Sequence, residues 1–145
     1  LNAGSLAPVL RTLSIAREEG IWVEITNLVV PQWSDDTDMI KKMSAWIVDT
    51  LGPDVPLHFS RFYPAHRLRH LPPTPRETLN RAVTTAREAG LRYVYLGNVA
   101  GADLTTRCPS CGAEVVKREG YLLRRNTLRA GRCPSCETAV AGVWT

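Results

Sequence analysis

Two copies of the tetrapeptide Cys-Pro-Ser-Cys constrain this chain more than any other feature. They supply Cys108 and Cys111, then Cys133 and Cys136, and the first 107 residues contain no cysteine. The 21 residues between the pairs lie just beyond the spacing usual for a four-cysteine zinc site. We therefore predict that residues 100–145 fold around one metal ion, either zinc or, with the same ligands, iron in a rubredoxin-like site.

Two disulfide bonds between the same cysteines are the competing interpretation. The chain begins Leu1-Asn2-Ala3-Gly4 and lacks the basic flank and apolar block of a secretion signal. We therefore expect a reducing, cytoplasmic location in which free thiols prevail. Four protein thiolates leave no open coordination position, so the metal is expected to be structural rather than catalytic. Its binding would supply on the order of 10 kcal/mol of folding free energy.

Residues beside the cysteines bear on the charge and shape of this site. Four thiolates around a divalent ion carry a net charge of about −2, and Arg107 and Arg132 directly precede the two pairs, where they can offset it. Gly112 permits a positive φ after the first pair. Glu137 stands at the equivalent position after the second pair, so we expect that turn to close differently. The stretch between the pairs is predicted to form the β-hairpin of a zinc ribbon.

The composition excludes several classes of protein. The chain has 145 residues, 44% of them hydrophobic and 22% charged, which allows one core of ordinary size. No stretch approaches the ~20 apolar residues that cross a bilayer, so no membrane partner is expected.

Residues 101–145 hold seven Lys and Arg against four Asp and Glu, or +3 of the net charge of +4. This excess permits weak, salt-sensitive contact with nucleic acid but does not require it.

Residues 1–99 repeat one pattern three times: an amphipathic helical segment, a glycine and a short apolar strand. The strands are predicted at 21–30, 57–62 and 91–96. This alternation is typical of a parallel α/β layer. The first helix has no strand before it, so we expect that residues upstream of Leu1 have been removed and that the chain is the C-terminal half of a larger domain.

Two of the predicted helices begin with capping residues. Asp35, Asp36 and Asp38 stand at the start of the second helix, where carboxylates suit the unpaired amides, and we prefer this role to a metal site. Thr74-Pro75-Arg76-Glu77 has the form of a capping box for the third helix. Residues 63–73 carry two histidines and three prolines and are predicted to form a loop, of the kind that often carries function.

Several motifs occur in a characteristic order along the chain. The segment Thr26-Asn27-Leu28-Val29-Val30-Pro31-Gln32-Trp33-Ser34-Asp35-Asp36 resembles the late-strand motif of pyruvate formate-lyase activating enzymes, which are radical S-adenosylmethionine proteins. After it come His58-Phe59-Ser60-Arg61-Phe62, Leu71-Pro72-Pro73-Thr74-Pro75, Tyr93-Val94-Tyr95-Leu96-Gly97-Asn98-Val99, the two cysteine pairs and Gly142-Val143-Trp144. Together they resemble the radical enzyme of the AmmeMemoRadiSam system over nearly the whole chain.

This resemblance implies a fold and a chemistry. Residues 1–99 would be the C-terminal half of a partial (β/α) barrel of the radical S-adenosylmethionine type, with the cofactor site at the carboxyl ends of its strands. Residues 100–145 would be the zinc ribbon. The upstream half would hold the Cys-x3-Cys-x2-Cys motif for a 4Fe-4S cluster, which this chain lacks. The family chemistry is reductive cleavage of S-adenosylmethionine to a 5′-deoxyadenosyl radical, so we expect the chain to be inactive alone.

Four residues are candidates for the wall of the implied cofactor site. Thr26, Val29, Arg61 and Tyr63 lie at or near the ends of predicted strands, as the resemblance requires. Packing of the same residues against neighbouring loops is an equally good interpretation. His58 lies in an apolar strand, and we interpret it as a core histidine.

Two functions therefore stay open. The first is the C-terminal part of a radical S-adenosylmethionine enzyme acting on an unknown substrate. In this chain its inner apolar face, Ile25, Val29 and Phe59, would be exposed unless another segment covered it, and would then bind the missing half-barrel or a second copy. The second function is a metal-binding module in which Arg124 and Arg125 help to contact nucleic acid or a partner protein.

Overall fold

The computed structural model describes residues 4–144. Residues 1–3 and 145, the outer ends of the two predicted domains, lie outside the described residues. The described chain runs through α1 (Leu6–Glu18), β1 (Ile25–Val29), α2 (Thr37–Leu51), β2 (Leu57–Arg61), a 3-10 turn (His66–Leu68), α3 (Arg76–Glu88), β3 (Val94–Gly97), β4 (Thr106–Arg107), β5 (Glu114–Glu119) and β6 (Leu122–Asn126).

The first three strands form a parallel sheet in the order β1-β2-β3. Ile25 lies opposite Leu57, and Leu57 lies opposite Val94. We call residues 6–97, from α1 to β3, the α/β layer. β1 is shorter than predicted because its partner β2 begins at Leu57, directly after Pro56, so residues before Ile25 have no strand to pair with.

The predicted fold class is wrong. Within residues 4–144 the parallel strands form an open, three-stranded sheet and not part of a barrel, and the second sheet is a separate, antiparallel one. A barrel requires a sheet that curves until its edge strands pair. Here the antiparallel sheet, reached through the segment after β3, lies beside the parallel sheet instead.

The core of the α/β layer lies between its strands and its helices. Val29 and Phe59 are completely buried there, together with Ile47 and Leu79 from α2 and α3, and Ile25 packs against the same cluster. The expectation that Ile25, Val29 and Phe59 would be exposed is therefore wrong. Alternation along the strands places this set toward the helices, and the exposed Thr26 and Leu28 lie on the opposite face.

The two predicted helix caps differ in outcome. Asp36 caps α2 as predicted, because its Oδ1 accepts the Met39 N–H at 2.8 Å. The capping box at Thr74 is wrong. Thr74 Oγ1 instead donates to the Val29 carbonyl at 2.6 Å and accepts the Phe62 N–H at 3.0 Å. The fully buried threonine therefore joins the ends of β1 and β2.

The antiparallel sheet has the order β4-β5-β6 and includes the predicted hairpin, in which β5 pairs with β6. We call residues 106–144 the four-cysteine unit. Tyr93, just before β3, is buried among Val115, Val116 and the cysteines, so the two sheets share packing. Among the described helices, none is both long enough and apolar enough to cross a membrane.

Candidate metal centre

The four cysteines converge on one point of the four-cysteine unit. All four Sγ atoms lie within 4.8 Å of one another. Cys108 and Cys136 are 3.5 Å apart at sulfur, and Cys111 and Cys133 are 3.7 Å apart. Four thiolates at about 2.3 Å from a zinc ion stand about 3.8 Å apart in a tetrahedron. The cysteines are free thiols, and their arrangement can hold a metal ion.

The two Cys-Pro-Ser-Cys turns have the same backbone design. The Gly112 N–H donates to the Cys108 carbonyl at 3.0 Å, and the Glu137 N–H donates to the Cys133 carbonyl at 2.9 Å. The φ angles are +73° at Gly112 and +59° at Glu137. The expectation that the second turn closes differently is therefore wrong. It closes in the same way with a residue that rarely adopts this conformation.

The thiols hold their protons with different strength. Hydrogen bonds from the Thr138 hydroxyl and N–H lower the pKa of Cys136 to about 6. At Cys111 the Ala113 N–H lowers the pKa, but hydrogen bonding with the other thiols and desolvation raise it by more, to about 12. Hydrogen bonding thus favours the thiolate form at Cys136 and also lowers the pKa of Cys133, and binding of a cation would favour the thiolate form at all four cysteines.

The two arginines predicted to offset the thiolate charge differ in position. Arg107 forms ion pairs with Asp103 at 3.4 Å and with Glu114 at 2.8 Å, so its charge is already balanced. Arg132 donates from Nη1 to the Glu137 carbonyl at 3.0 Å, which places its guanidinium beside the second turn. Of the two, Arg132 is the better placed to stabilise a negatively charged cluster.

Two of the four predicted cofactor residues lie together at the carboxyl end of β2. The Arg61 guanidinium lies 5.1 Å from the centre of the Tyr63 ring and donates from Nε to the Thr74 carbonyl at 2.9 Å. Asn98, which sequence reasoning missed, donates from Nδ2 to the Arg61 carbonyl at 3.1 Å. Asn98 has a φ of +58°, a conformation that asparagine tolerates. The only clue to it in the sequence is an asparagine directly after a glycine.

The other two predicted cofactor residues lie on opposite faces of β1. Thr26 is exposed on the face away from the helices. The Val29 side chain is completely buried in the core and its carbonyl accepts the Thr74 hydroxyl, so Val29 contributes packing at this position. A cofactor wall of Thr26, Val29, Arg61 and Tyr63 stays a prediction.

His58 is not a core histidine. Its side chain is 31% exposed, and its Nε2 lies 3.0 Å from Glu24 Oε2. The ring also stacks on Tyr95 with centroids 5.2 Å apart. The apolar strand suggested burial, but His58 falls on the strand face that lacks helices. Sequence reasoning gave neither Glu24 nor Tyr95 a contact with His58, because the residues come together only when the strands pair.

Comparison with known proteins adds one relative. No family model matches the chain. Over 115 residues, or 79% of the chain, it is 49% identical to the uncharacterized protein MJ0808 of Methanocaldococcus jannaschii. The matched region is 34% of that protein, so the chain spans about a third of the relative's length. A segment similar to this chain thus lies within a longer archaeal polypeptide.

Proposed function

We propose that the four cysteines hold one structural zinc ion. The observation that carries this proposal is the convergence of four sulfurs within 4.8 Å, at separations close to those of a zinc tetrathiolate. Four protein ligands fill a tetrahedral site, so the ion serves folding and leaves no position for a substrate. Iron would accept the same ligands, and its visible absorption would distinguish it from zinc, which has none.

The surroundings of the cysteines support a structural role. Cys108 and Cys133 are buried, at 3% and 1% exposed, beside Val115, Val116 and Tyr93, whereas Cys111 and Cys136 reach the surface. The ion would therefore join the two turns to the small core beneath them. A four-thiolate site also suits a reducing compartment, and we place the protein in the cytoplasm on that ground.

For a longer protein that contains this chain we propose the activity of a radical S-adenosylmethionine enzyme. The support is the ordered series of motifs from Thr26 to Trp144, together with the Arg61, Tyr63 and Asn98 cluster at the carboxyl end of β2. Bound cluster and cofactor would supply a 5′-deoxyadenosyl radical. The residues of this chain would contribute one wall of the cofactor site, and the proposal makes no claim about how other residues fold.

The test compares this chain with the natural full-length protein after anaerobic iron-sulfur reconstitution. We expect the full-length protein to contain a Cys-x3-Cys-x2-Cys motif, to bind a 4Fe-4S cluster and to form 5′-deoxyadenosine. We expect the chain alone to bind no 4Fe-4S cluster and to form no 5′-deoxyadenosine, since its cysteines occupy a closed site. A full-length protein without that motif, or cluster formation and cofactor cleavage by the chain alone, would contradict the proposal.

One observation favours a second function, a module that contacts nucleic acid. Lys117 and Arg125 are cross-strand partners on the exposed hairpin, and like charges so placed destabilise a sheet unless a ligand offsets them. Tyr121 at the hairpin tip is fully exposed and could stack on a base. We expect only weak, non-specific binding. Sub-micromolar affinity for a defined nucleic acid at physiological salt would favour this second function over the first.

A further inference from the structure

A wide cleft separates the helix-free face of the parallel sheet from the four-cysteine unit. Its volume is about 910 Å³, within the range of small-molecule sites. His58 and Tyr95 line it from the sheet, and Thr106 and Arg118 line it from the antiparallel strands. None of these residues takes part in the cysteine cluster.

The sheet side of the cleft carries two stacked aromatic rings. His58 and Tyr95 are neighbours in the strand register, and their rings stack with an interplanar angle of 27°. Glu24 fixes the His58 ring through Oε2, and its Oε1 accepts the Trp22 Nε1–H at 3.2 Å. The Glu24 carboxylate is therefore engaged on both oxygens. The cleft thus offers a stacked aromatic pair against which a planar partner can pack.

The opposite side of the cleft carries a cation whose charge is not balanced. Among residues 4–144, Arg118 has no carboxylate within ion-pair distance, whereas Arg124 on the neighbouring strand pairs with Glu119 at 2.7 Å. Arg118 donates from Nη1 to Thr106 Oγ1 at 3.3 Å. A guanidinium has five N–H donors in a planar fork, so an edge that can bind a carboxylate is left over.

A hydrogen-bond chain fixes the distance between the rings and the cation. Thr106 Oγ1, which receives the Arg118 contact, is also 2.9 Å from the Tyr95 hydroxyl. Thr106 is 5% exposed, so this connection lies under the cleft surface. The aromatic surface and the guanidinium therefore belong to one fixed arrangement, although they come from different sheets.

The end of the described chain forms a third wall that is also fixed. The Ala141 N–H donates to the Tyr93 hydroxyl at 3.3 Å, and Trp144 Nε1 donates to the Val140 carbonyl at 2.7 Å. The Trp144 ring packs so closely on Gly131 and Gly142 that an added Cβ at either glycine would lie 2.7 Å from it. The cleft is therefore preformed, which lowers the entropic cost of binding a ligand.

We propose that this cleft binds a planar aromatic carboxylate. The ring lies against Tyr95 and His58, and the carboxylate pairs with the free edge of Arg118. The site consists of aromatic surface with a few fixed polar groups, which is the usual composition of a small-molecule pocket. This proposal uses neither the metal nor S-adenosylmethionine, but Tyr63 and Asn98 also line the cleft, so the cleft adjoins the wall proposed above for that cofactor.

Indole-3-carboxylate and its neutral analogue indole-3-carboxamide test this proposal by NMR titration of the metal-loaded chain. We expect the acid to bind with a Kd below about 1 mM and the amide at least tenfold more weakly. Arg118→Gln should weaken binding of the acid at least tenfold and leave the amide unchanged. Arg124→Gln, on the same hairpin but with its charge already paired, is the matched control and should bind the acid normally.

A shift of the Arg118 Nε–H resonance on addition of the acid gives a second measure that needs no variant. Equal binding of acid and amide, an unaffected Arg118→Gln variant, or the same loss in Arg124→Gln would each overturn the proposal. So would absence of acid binding to the folded chain at millimolar concentration. S-adenosylmethionine is titrated in parallel. If it binds in the cleft and displaces the acid, the cleft belongs to that cofactor and the proposal is wrong.

Discussion

The α/β layer and the four-cysteine unit are stabilised by different means. In the α/β layer, eleven buried residues, ten of them in strands and helices, form a continuous apolar core. In the four-cysteine unit the corresponding cluster has six buried residues, of which two are cysteines and one, Tyr93, comes from the segment before β3. A parallel sheet covered by helices can depend on apolar packing, whereas we expect a sheet of short strands with so small a core to depend on the proposed metal ion for folding.

The two regions nevertheless share a boundary. Tyr93 is buried among residues of the four-cysteine unit, and the Tyr95 hydroxyl shares a hydrogen bond with Thr106. These contacts let the α/β layer support the four-cysteine unit, but the core of the α/β layer does not include them. Unfolding of the four-cysteine unit should therefore disturb the α/β layer only a little. Unfolding of the α/β layer should disturb the four-cysteine unit more.

The largest effect is expected from Cys133→Ser. Loss of one thiolate should remove most of the metal-linked folding free energy, on the order of 10 kcal/mol. NMR spectra should lose the dispersed signals of residues 106–144 and keep those of the α/β layer, and the helical circular dichroism should remain. The matched control is Ser110→Ala, which changes an exposed residue of the first turn. Loss of all helical signal would show that the two regions unfold as one unit.

The next effect should fall on the α/β layer. Phe59→Ala removes a completely buried ring and should lower the free energy of unfolding of this layer by about 3–5 kcal/mol. Denaturant unfolding followed by helical circular dichroism measures it. Metal content should persist at low denaturant, since Phe59 does not contact the cysteine cluster. Release of the metal at denaturant concentrations at which the helices are still folded would contradict the division between the regions.

A smaller effect is expected from Thr74→Val, which keeps the shape of the side chain and removes its hydroxyl. The Val29 carbonyl and the Phe62 N–H would each lose a buried partner. We expect a loss of about 1–3 kcal/mol in the free energy of unfolding. Thr84→Val, on the exposed side of α3, should change it by less than about 0.5 kcal/mol. Equal effects of the two substitutions would mean that Thr74 does not join the strands.

The smallest effect concerns the second cysteine turn. Glu137→Gly relieves a side chain at φ +59° and should stabilise the metal-bound unit by about 1 kcal/mol. Gly112→Ala introduces the same strain into the first turn and should destabilise it by a similar amount. Competition with a chelator measures both. A destabilising Glu137→Gly would show that the glutamate side chain contributes more than its backbone strain costs.

Local patterns in the sequence predicted the local structure well. The spacing of the cysteines predicted that they converge on one site. Asp36 was predicted as a helix cap because its role depends only on a residue three positions away. Both inferences use contacts within a turn or between near-identical short motifs. The alternation of helices and strands likewise gave three parallel strands, although their ends were misplaced where a pairing partner was missing.

Features that depend on distant residues were mispredicted. Thr74 matched a capping box, but its hydroxyl bonds to Val29, 45 positions away. The burial of Phe59 and the exposure of His58 depend on which face of the sheet the helices cover, and an apolar strand does not reveal this. Arg118 was not singled out for the same reason, since its position opposite Tyr95 is set by the packing of two sheets.

The metal content of the purified chain tests the central claim most directly. Elemental analysis by mass spectrometry, combined with titration of free thiols before and after denaturation with a chelator, gives both the metal and the state of the cysteines. We predict one zinc ion per chain and four thiols that become reactive only when the zinc is removed. The contradicting result is a chain that contains neither zinc nor iron and whose intact mass shows two disulfide bonds, each with the loss of two protons. It would mean that Cys108, Cys111, Cys133 and Cys136 do not form a metal centre.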